Sequence, residues 1–498
     1  MFEILLKAGN FLLLLVLFLP LFIISVVFIT PVLCVLLLYR LVVWLMVRIF
    51  RRDLHSFITG LNANFTSDYP ERANYNIIVG VVVAGTISSE RTRQLFQERV
   101  LYLRNEKGQL VYQRLQQSWT YFMGYAFWRN DPLFELSNHI RDYDYAGDLS
   151  LPEKCTEQVL TQVWSKLATA PWKSLQSPWE VLTVPEYYPS GKTERHTLII
   201  FRVNHIHCDA YSIVTLFRHL YNTPMEMPKP THNQKERTVV SIWERLKLVL
   251  AIPYNMAEFF RSVTRGRVIG GLTSRENTHC SISSKIHVDD IKSIKNAHNV
   301  GYSTVVYSAV LGAVAQGLKN AGRDPQAKLD LAYVLLLPNH PGGWSCHTTV
   351  GVADMPCYSK SAKERLHETQ RILMNSLSSS RPASVIYFAR IISLIPTRII
   401  RKISKFIKTF GPSCIITNFP PTLSKEYVDG LEMVDVFVAL SVHESIGLVV
   451  SSVGVSGEQR FAFFLDKSIF GDDTSALKIA ELFEQELETL RALNDTEV

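Results

Sequence analysis

The sequence predicts an α/β (α+β) protein of two lobes behind an N-terminal membrane segment, and three observations carry that expectation. First, no charged residue interrupts the apolar run from Phe11 to Tyr39, whereas about 20 apolar residues suffice to cross a bilayer. Second, the remaining chain alternates apolar strand-like runs with helical periodicities, the pattern of sheets covered by helices. Third, two stretches without periodicity, Asn222 to Arg237 and Ser262 to Glu276, interrupt that body near its middle. A chain of 498 residues also exceeds what one hydrophobic core usually organises. The expected division is a membrane anchor over 1–52, a first lobe over 53–230, an interlobe segment with a helix over 231–280, and a second lobe over 281–498.

The N-terminal run is expected to cross the membrane once with tilt. A re-entrant hairpin folded at Pro20 and Pro31 is the alternative, because proline breaks or kinks a helix. A cleaved signal peptide fits less well, since its apolar core spans about 7–15 residues. Arg40, Arg48, Arg51 and Arg52 follow the run and predict a cytosolic body. Residues 1–52 carry a net +4 of the whole chain's +7, so the body is too weakly basic to call for nucleic acid. Seven scattered cysteines without close metal-type spacing speak against a disulfide framework or zinc site and agree with a reducing compartment.

Residues 53–75 are polar and read as a linker. The run Thr197 to Val203 reads as a buried strand. After the interlobe segment, with helical pattern from Val239 to Phe260, a short helix is expected over His287 to Ala297. Ser303 and Thr304 are placed as caps on a buried helix over Val305 to Leu318. Strands are expected over Leu331 to Leu337, Val434 to Val442, Gly447 to Val455 and Arg460 to Leu465, a helix over Ala362 to Leu377, and a closing amphipathic helix over Ser475 to Leu493. Ile399, Ile403, Phe406, Ile407 and Phe410 share one helical face, with Arg398, Arg401, Lys402, Lys405 and Lys408 opposite. That pattern suits either an anionic headgroup layer or a solvated basic face.

Chemistry concentrates where the predicted strand ends, in Asn204-His205-Ile206-His207-Cys208-Asp209-Ala210. A histidine at the mouth of a cleft titrates near neutrality and can take a proton from an alcohol or thiol. A satisfied structural histidine is the plainer reading of the same spacing. A Cys208 thiol nucleophile is a third, without a known cysteine-enzyme signature around it.

This heptad resembles the His-His-x-x-x-Asp-Gly signature of the wax ester synthase/diacylglycerol acyltransferase family, a branch of the CoA-dependent acyltransferases with the chloramphenicol-acetyltransferase-like fold. Further stretches resemble the family's motifs in the same order: Asp131 to Ile140, Ser177-Pro178-Trp179-Glu180-Val181, Ile416-Thr417-Asn418-Phe419-Pro420-Pro421, Gly447 to Ser452, and Phe464-Leu465-Asp466. The resemblance implies His205 as general base and Asp209 as the group that fixes its loop through a buried ion pair. It makes Asn204 and Asn418 candidate hydrogen-bonding groups for substrate near the reacting centre. It also implies acyl-CoA and a lipid alcohol as substrates, no metal or redox cofactor, and a bilayer, expected to be the endoplasmic reticulum, beside the site. The sequence departs from the signature at Asn204, Ala210 and Pro421. A membrane-tethered lipid-binding protein that has lost catalysis is therefore the alternative.

Overall fold

The computed structural model describes residues 14–66, 73–225, 242–264, 269, 278–337, 339–406, 410–441, 446–470 and 473–495. The apolar N-terminus is one helix, α1 (Leu19–Phe50), preceded by a π turn over Leu14–Phe18. Pro20 sits in its first turn, where its missing N–H is harmless, and Pro31 is carried inside the helix. The chain does not fold back at either proline, which overturns the hairpin alternative. Val43 and Val47 near its C-terminal end are buried against Leu54, Tyr125 and Phe127.

The described parts of the expected linker, residues 53–66 and 73–75, are ordered instead. They contribute β1 (Leu54–Phe57) and a 3-10 turn over Gly60–Phe65. β1 pairs with a hairpin of β3 (Gln117–Phe122) and β4 (Tyr125–Asn130) in the order β1-β4-β3. Between these pieces the chain enters β2 (Asn76–Ala84), a central strand of the first large sheet.

That seven-stranded sheet also holds β5 (Trp179–Tyr188) and β6 (His196–Asn204), paired antiparallel in the order β2-β6-β5. All nine residues of β6 are buried. Because successive side chains leave a strand on opposite faces, Ile199, Phe201 and Val203 join one core while Leu198 and Ile200 join another. The first core is closed by α2 (Ala210–Tyr221), the second by a helix over Glu157–Ala168. Burial on both faces explains the unbroken apolar run in the sequence.

Beyond the helix α3 (Ile242–Thr264), β7 (Thr278–Ile282) opens the second seven-stranded sheet. Helix α4 (Tyr302–Asn320) lies buried in that lobe. Its N-cap is Gly301, so Ser303 and Thr304 stand within the first turn rather than capping it; Thr304 is buried and hydrogen-bonds Gln370. β8 (Lys328–Leu336) and β9 (Thr348–Pro356) form an antiparallel pair, followed by α5 (Ala362–Ser378), α6 (Arg381–Ile392) and α7 (Thr397–Phe406). On α7, Arg398 and Lys402 are exposed, but Arg401 turns inward over the Tyr121 ring at 4.0 Å and donates to the Thr66 carbonyl. The side chains of Lys405, Phe406, Ile407 and Lys408 lie outside the described residues.

β10 (Cys414–Asn418) inserts parallel between β8 and β12 (Leu448–Val455), and β13 (Glu458–Asp466) completes the path. One strand leaves this lobe. β11 (Leu431–Leu440), expected inside the second lobe, pairs antiparallel with β2 from Met433 opposite Val83 to Leu440 opposite Ile77. Its apolar run suits a buried strand of either sheet, and the free edge of β2 takes it. The closing helical stretch is interrupted at Lys478, leaving a short turn of helix and then α8 (Ile479–Asp495).

Candidate active site

β6 ends at Asn204, and the chain turns at once toward α2, so His205 and His207 do not share a strand face. Asn204 builds that turn. Its Oδ1 accepts the Ile206 N–H at 3.0 Å, its carbonyl accepts the His207 N–H, and its own N–H donates to the Pro178 carbonyl. With 1% of its surface exposed, Asn204 is a structural residue rather than a group facing substrate. Ala210 opens α2 without a positive φ, so the glycine of the signature is not required there.

The segment read as a linker supplies the wall of the site. The Phe65 ring stacks on His205 with centroids 4.4 Å apart, the Tyr75 carbonyl accepts the His205 N–H at 2.6 Å, and the Asn62 amide donates to the Ile206 carbonyl at 2.6 Å. On the other side, the loop between β8 and β9 reaches over from the second lobe. The Cys346 thiol donates to the His205 carbonyl at 2.9 Å and lies 3.7 Å from Nδ1. Burial pushes that thiol well up, so it is a protonated donor here. Desolvation lowers the pKa of His205, opposed by hydrogen bonds with its own and the Cys208 backbone and by the charge of Asp209. The half-buried imidazole is thereby shifted toward its neutral form.

Asp209 caps α2 by accepting the Ser212 N–H at 3.0 Å. Its other contacts come from the same second-lobe loop: the His340 ring at 3.3 Å and the His347 N–H at 2.7 Å, with the Asp209 N–H donating to the Ser345 carbonyl. Burial alone would raise its carboxyl, yet the His340 hydrogen bond and the two backbone N–H groups hold it below the usual range. The partner in the expected buried ion pair is His340, whose ring carries a charge only when protonated, and two backbone N–H groups add to it. Asp209 still fixes the motif, and it does so by clamping the two lobes together.

The remaining predicted residues divide. Asn418 belongs to a separate cluster in the second sheet, where its Oδ1 accepts from Ser452 Oγ at 2.7 Å and from Gln459 Nε2 at 2.9 Å. Those partners anchor β10 to β12 and β13. Cys208 is buried in the first core and burial drives its thiol well up, which removes it as a nucleophile. His207 lies against Trp119 and Trp128, and burial lowers its pKa to about 3.

Two of the other motif stretches meet behind the strand end. Asp131 Oδ2 accepts the Ser177 N–H at 2.8 Å, Ser177 Oγ lies 3.3 Å from His139 Nε2, and His139 stacks on Trp179 with its Nδ1 2.8 Å from the Trp179 carbonyl. Pro178, between Ser177 and Trp179, carries the carbonyl that receives Asn204. These contacts hold the end of β6 and the turn after it in place. A cleft of about 1490 Å³ opens at the opposite end of β6, with His196, Asp435 and Arg460 on its walls; His205 does not line it.

Residues 344–491 match the model of the WS/DGAT C-terminal domain. Among solved structures, the chain is similar to the wax ester synthase/diacylglycerol acyltransferase from Marinobacter aquaeolei VT8 at a TM-score of 0.58 and 14% identity, over 89% of this chain and 100% of that one. It is also similar to the TRI3 trichothecene 15-O-acetyltransferase from Fusarium sporotrichioides at a TM-score of 0.58 and 11% identity, over 87% of this chain and 94% of that one. No curated protein matches. The C-terminal part of the resemblance read in the motifs is thus matched by the WS/DGAT C-terminal domain model over residues 344–491, and the chain as a whole shares the two-lobed fold of these acyltransferase structures.

Proposed function

We propose that the protein is an acyl-CoA-dependent O-acyltransferase that esterifies a lipid alcohol, with His205 as general base. The observation that carries this reading is the His205 imidazole, kept neutral at a strand end and braced between Phe65 and Cys346. The acceptor hydroxyl gives its proton to His205 as its oxygen attacks the thioester carbonyl. The carbon–sulfur bond then breaks, and coenzyme A leaves as a thiolate that recovers the proton from the imidazolium. Asp209 acts through the loop rather than on the reacting atoms. The apolar α1 supports a membrane-attached enzyme whose long-chain substrates, a fatty alcohol giving wax ester or diacylglycerol giving triacylglycerol, arrive through the bilayer. A cytosolic body on the endoplasmic reticulum belongs to the same reading.

One observation favours a second reading, a lipid-binding protein without turnover: a cleft of about 1490 Å³ lies away from His205. Acyl transfer from labelled palmitoyl-CoA to hexadecanol and to diacylglycerol, measured in parallel with His205→Ala, separates the two. Ester formed by the native protein and lost in the variant is the expected result. Retained acyl-CoA binding with no product from either alcohol would leave the binding protein.

A further inference from the structure

Helix α1, uncharged until Arg40, touches the folded body near its start and again from Arg40 on. Near its start, the Phe18 ring lies 5.2 Å from the ring of Tyr254 on α3. Near its end, Arg40 covers the Phe57 ring at 4.0 Å and donates to the Ser393 carbonyl just beyond α6, while the Tyr39 hydroxyl donates to the Met123 carbonyl. The 22 residue steps from Phe18 to Arg40 span about 33 Å at the helical rise, which matches the hydrocarbon thickness of a bilayer.

Between those contacts α1 is exposed from Val26 to Val32, and the body links the two contact points through α3 and α6. Asn255, next to Tyr254, donates to Ser380 and Ser384 at 2.8 Å each, and α6 runs from there to Ser393. The helix also has an inner and an outer side. Phe18, Phe22, Leu36, Arg40, Val43 and Val47 fall on one side at helical spacing and are half-buried or buried. The opposite side presents Val27, Leu38 and Ile49 at more than 60% exposure.

A crossing helix would have to carry this flank of the body through the hydrocarbon with it. Glu258 and Arg261 of α3 and Arg381 and Arg390 of α6 would accompany it, and charges at membrane depth are costly. From this geometry we infer that α1 does not cross the bilayer. It lies in the plane of one leaflet, with its inner side on the body and its outer side in the acyl chains. The exposed Ile399 and Ile403 of α7, flanked by Arg398 and Lys402, extend the same face toward an anionic headgroup layer. The α7 segment continues directly from the Ser393–Pro396 turn that receives Arg40 and Tyr125.

This inference rests on the membrane attachment in the proposed function but not on catalysis, and its test reads no turnover. In full-length protein carrying Cys34→Ser, single cysteines from Lys7→Cys and Glu488→Cys are exposed to a membrane-impermeant maleimide in sealed microsomes, with and without detergent. In-plane attachment expects both to label under the same condition. Labelling of Lys7→Cys and Glu488→Cys from opposite sides, or loss of residue 7 by cleavage, overturns it. A second readout is the depth of quenchable labels at Ile24→Cys, Val35→Cys and Leu45→Cys in phosphatidylcholine/phosphatidylserine vesicles. Equal depths are expected; a spread across the bilayer, or no quenching by lipid-borne probes, overturns the inference.

Discussion

The Cys346 thiol, carried by a loop of the second lobe, sits 2.9 Å from the backbone carbonyl of His205 and 3.7 Å from its Nδ1. It thereby lies on the Nδ1 side of the imidazole, and in the proposed reaction Nε2 meets the acceptor hydroxyl. Cys346→Ala removes this contact without touching substrate. Since a net hydrogen bond contributes about 1 kcal/mol, kcat is expected to fall about fivefold with little change in the KM for acyl-CoA. Cys346→Ser, which keeps a donor, should recover part of the loss. An unchanged kcat in the alanine variant would show that the His205 backbone alone orients the ring.

The buried His207 gives stability a defined pH dependence. Its folded pKa of about 3 lies below the unfolded value of about 6.5, so between those values the unfolded state binds the extra proton. Stability is therefore full above about pH 6.5 and is lost as pH falls toward about 3. At pH 5 the loss from this group is about 2 kcal/mol. Urea unfolding at pH 7.5 and pH 5.0 measures it: in His207→Leu the difference between the two pH values should shrink by that amount, and an unaltered difference would assign the acid sensitivity elsewhere.

Parts of this arrangement are legible in the sequence and parts are not, for a physical reason. β6 and the position of His205 at its end follow from local pattern, because a strand buried on both faces must be apolar throughout. The wall around His205 has no such pattern. Asn62, Phe65 and Tyr75 occupy a short polar stretch whose order comes from tertiary contacts, so it reads as a linker. His340, Cys346 and His347 lie more than 130 residues from the motif, and only the closing of one lobe on the other brings them to it. Their one local signal is the pair Gly342-Gly343 in a loop otherwise rich in histidine and cysteine. β11 illustrates the same limit: its apolar run announces a buried strand but not which sheet receives it.

Gly343 makes that loop sensitive to a single methyl group. Its φ is +63°, and a Cβ there would stand 2.6 Å from the Val111 backbone oxygen, which cannot swing aside as a side chain can. Gly342, at φ +76°, faces open space. Gly342→Ala should therefore cost only the left-handed strain of about 1–2 kcal/mol, whereas Gly343→Ala should also displace the loop. The expected signature is a larger fall in transfer activity for Gly343→Ala than for Gly342→Ala when the two are compared at equal fractions folded. Equal activities at equal folding would mean that the loop does not set the geometry of His205.

The Asp209–His340 contact joins the lobes, and its disruption should distinguish positioning from chemistry. Asp209→Ala leaves the first turn of α2 uncapped and strips His340 and the His347 N–H of their buried acceptor. Hydrogen bonds to a charged group contribute about 1.5–3 kcal/mol, so the loss of stability should be at least that large. The carboxyl is held below its usual range, so this stability is present above the unfolded pKa of about 4 and lost as pH falls through the folded value. His340→Ala removes only one of the three donors and should cost less, with the backbone contacts retained. If Asp209 acts by clamping, activity in both variants should track the fraction of properly closed protein, and the pH profile of kcat should keep the single ionisation assigned to His205. A shift of that ionisation in His340→Ala, at unchanged stability, would instead place His340 in the proton path.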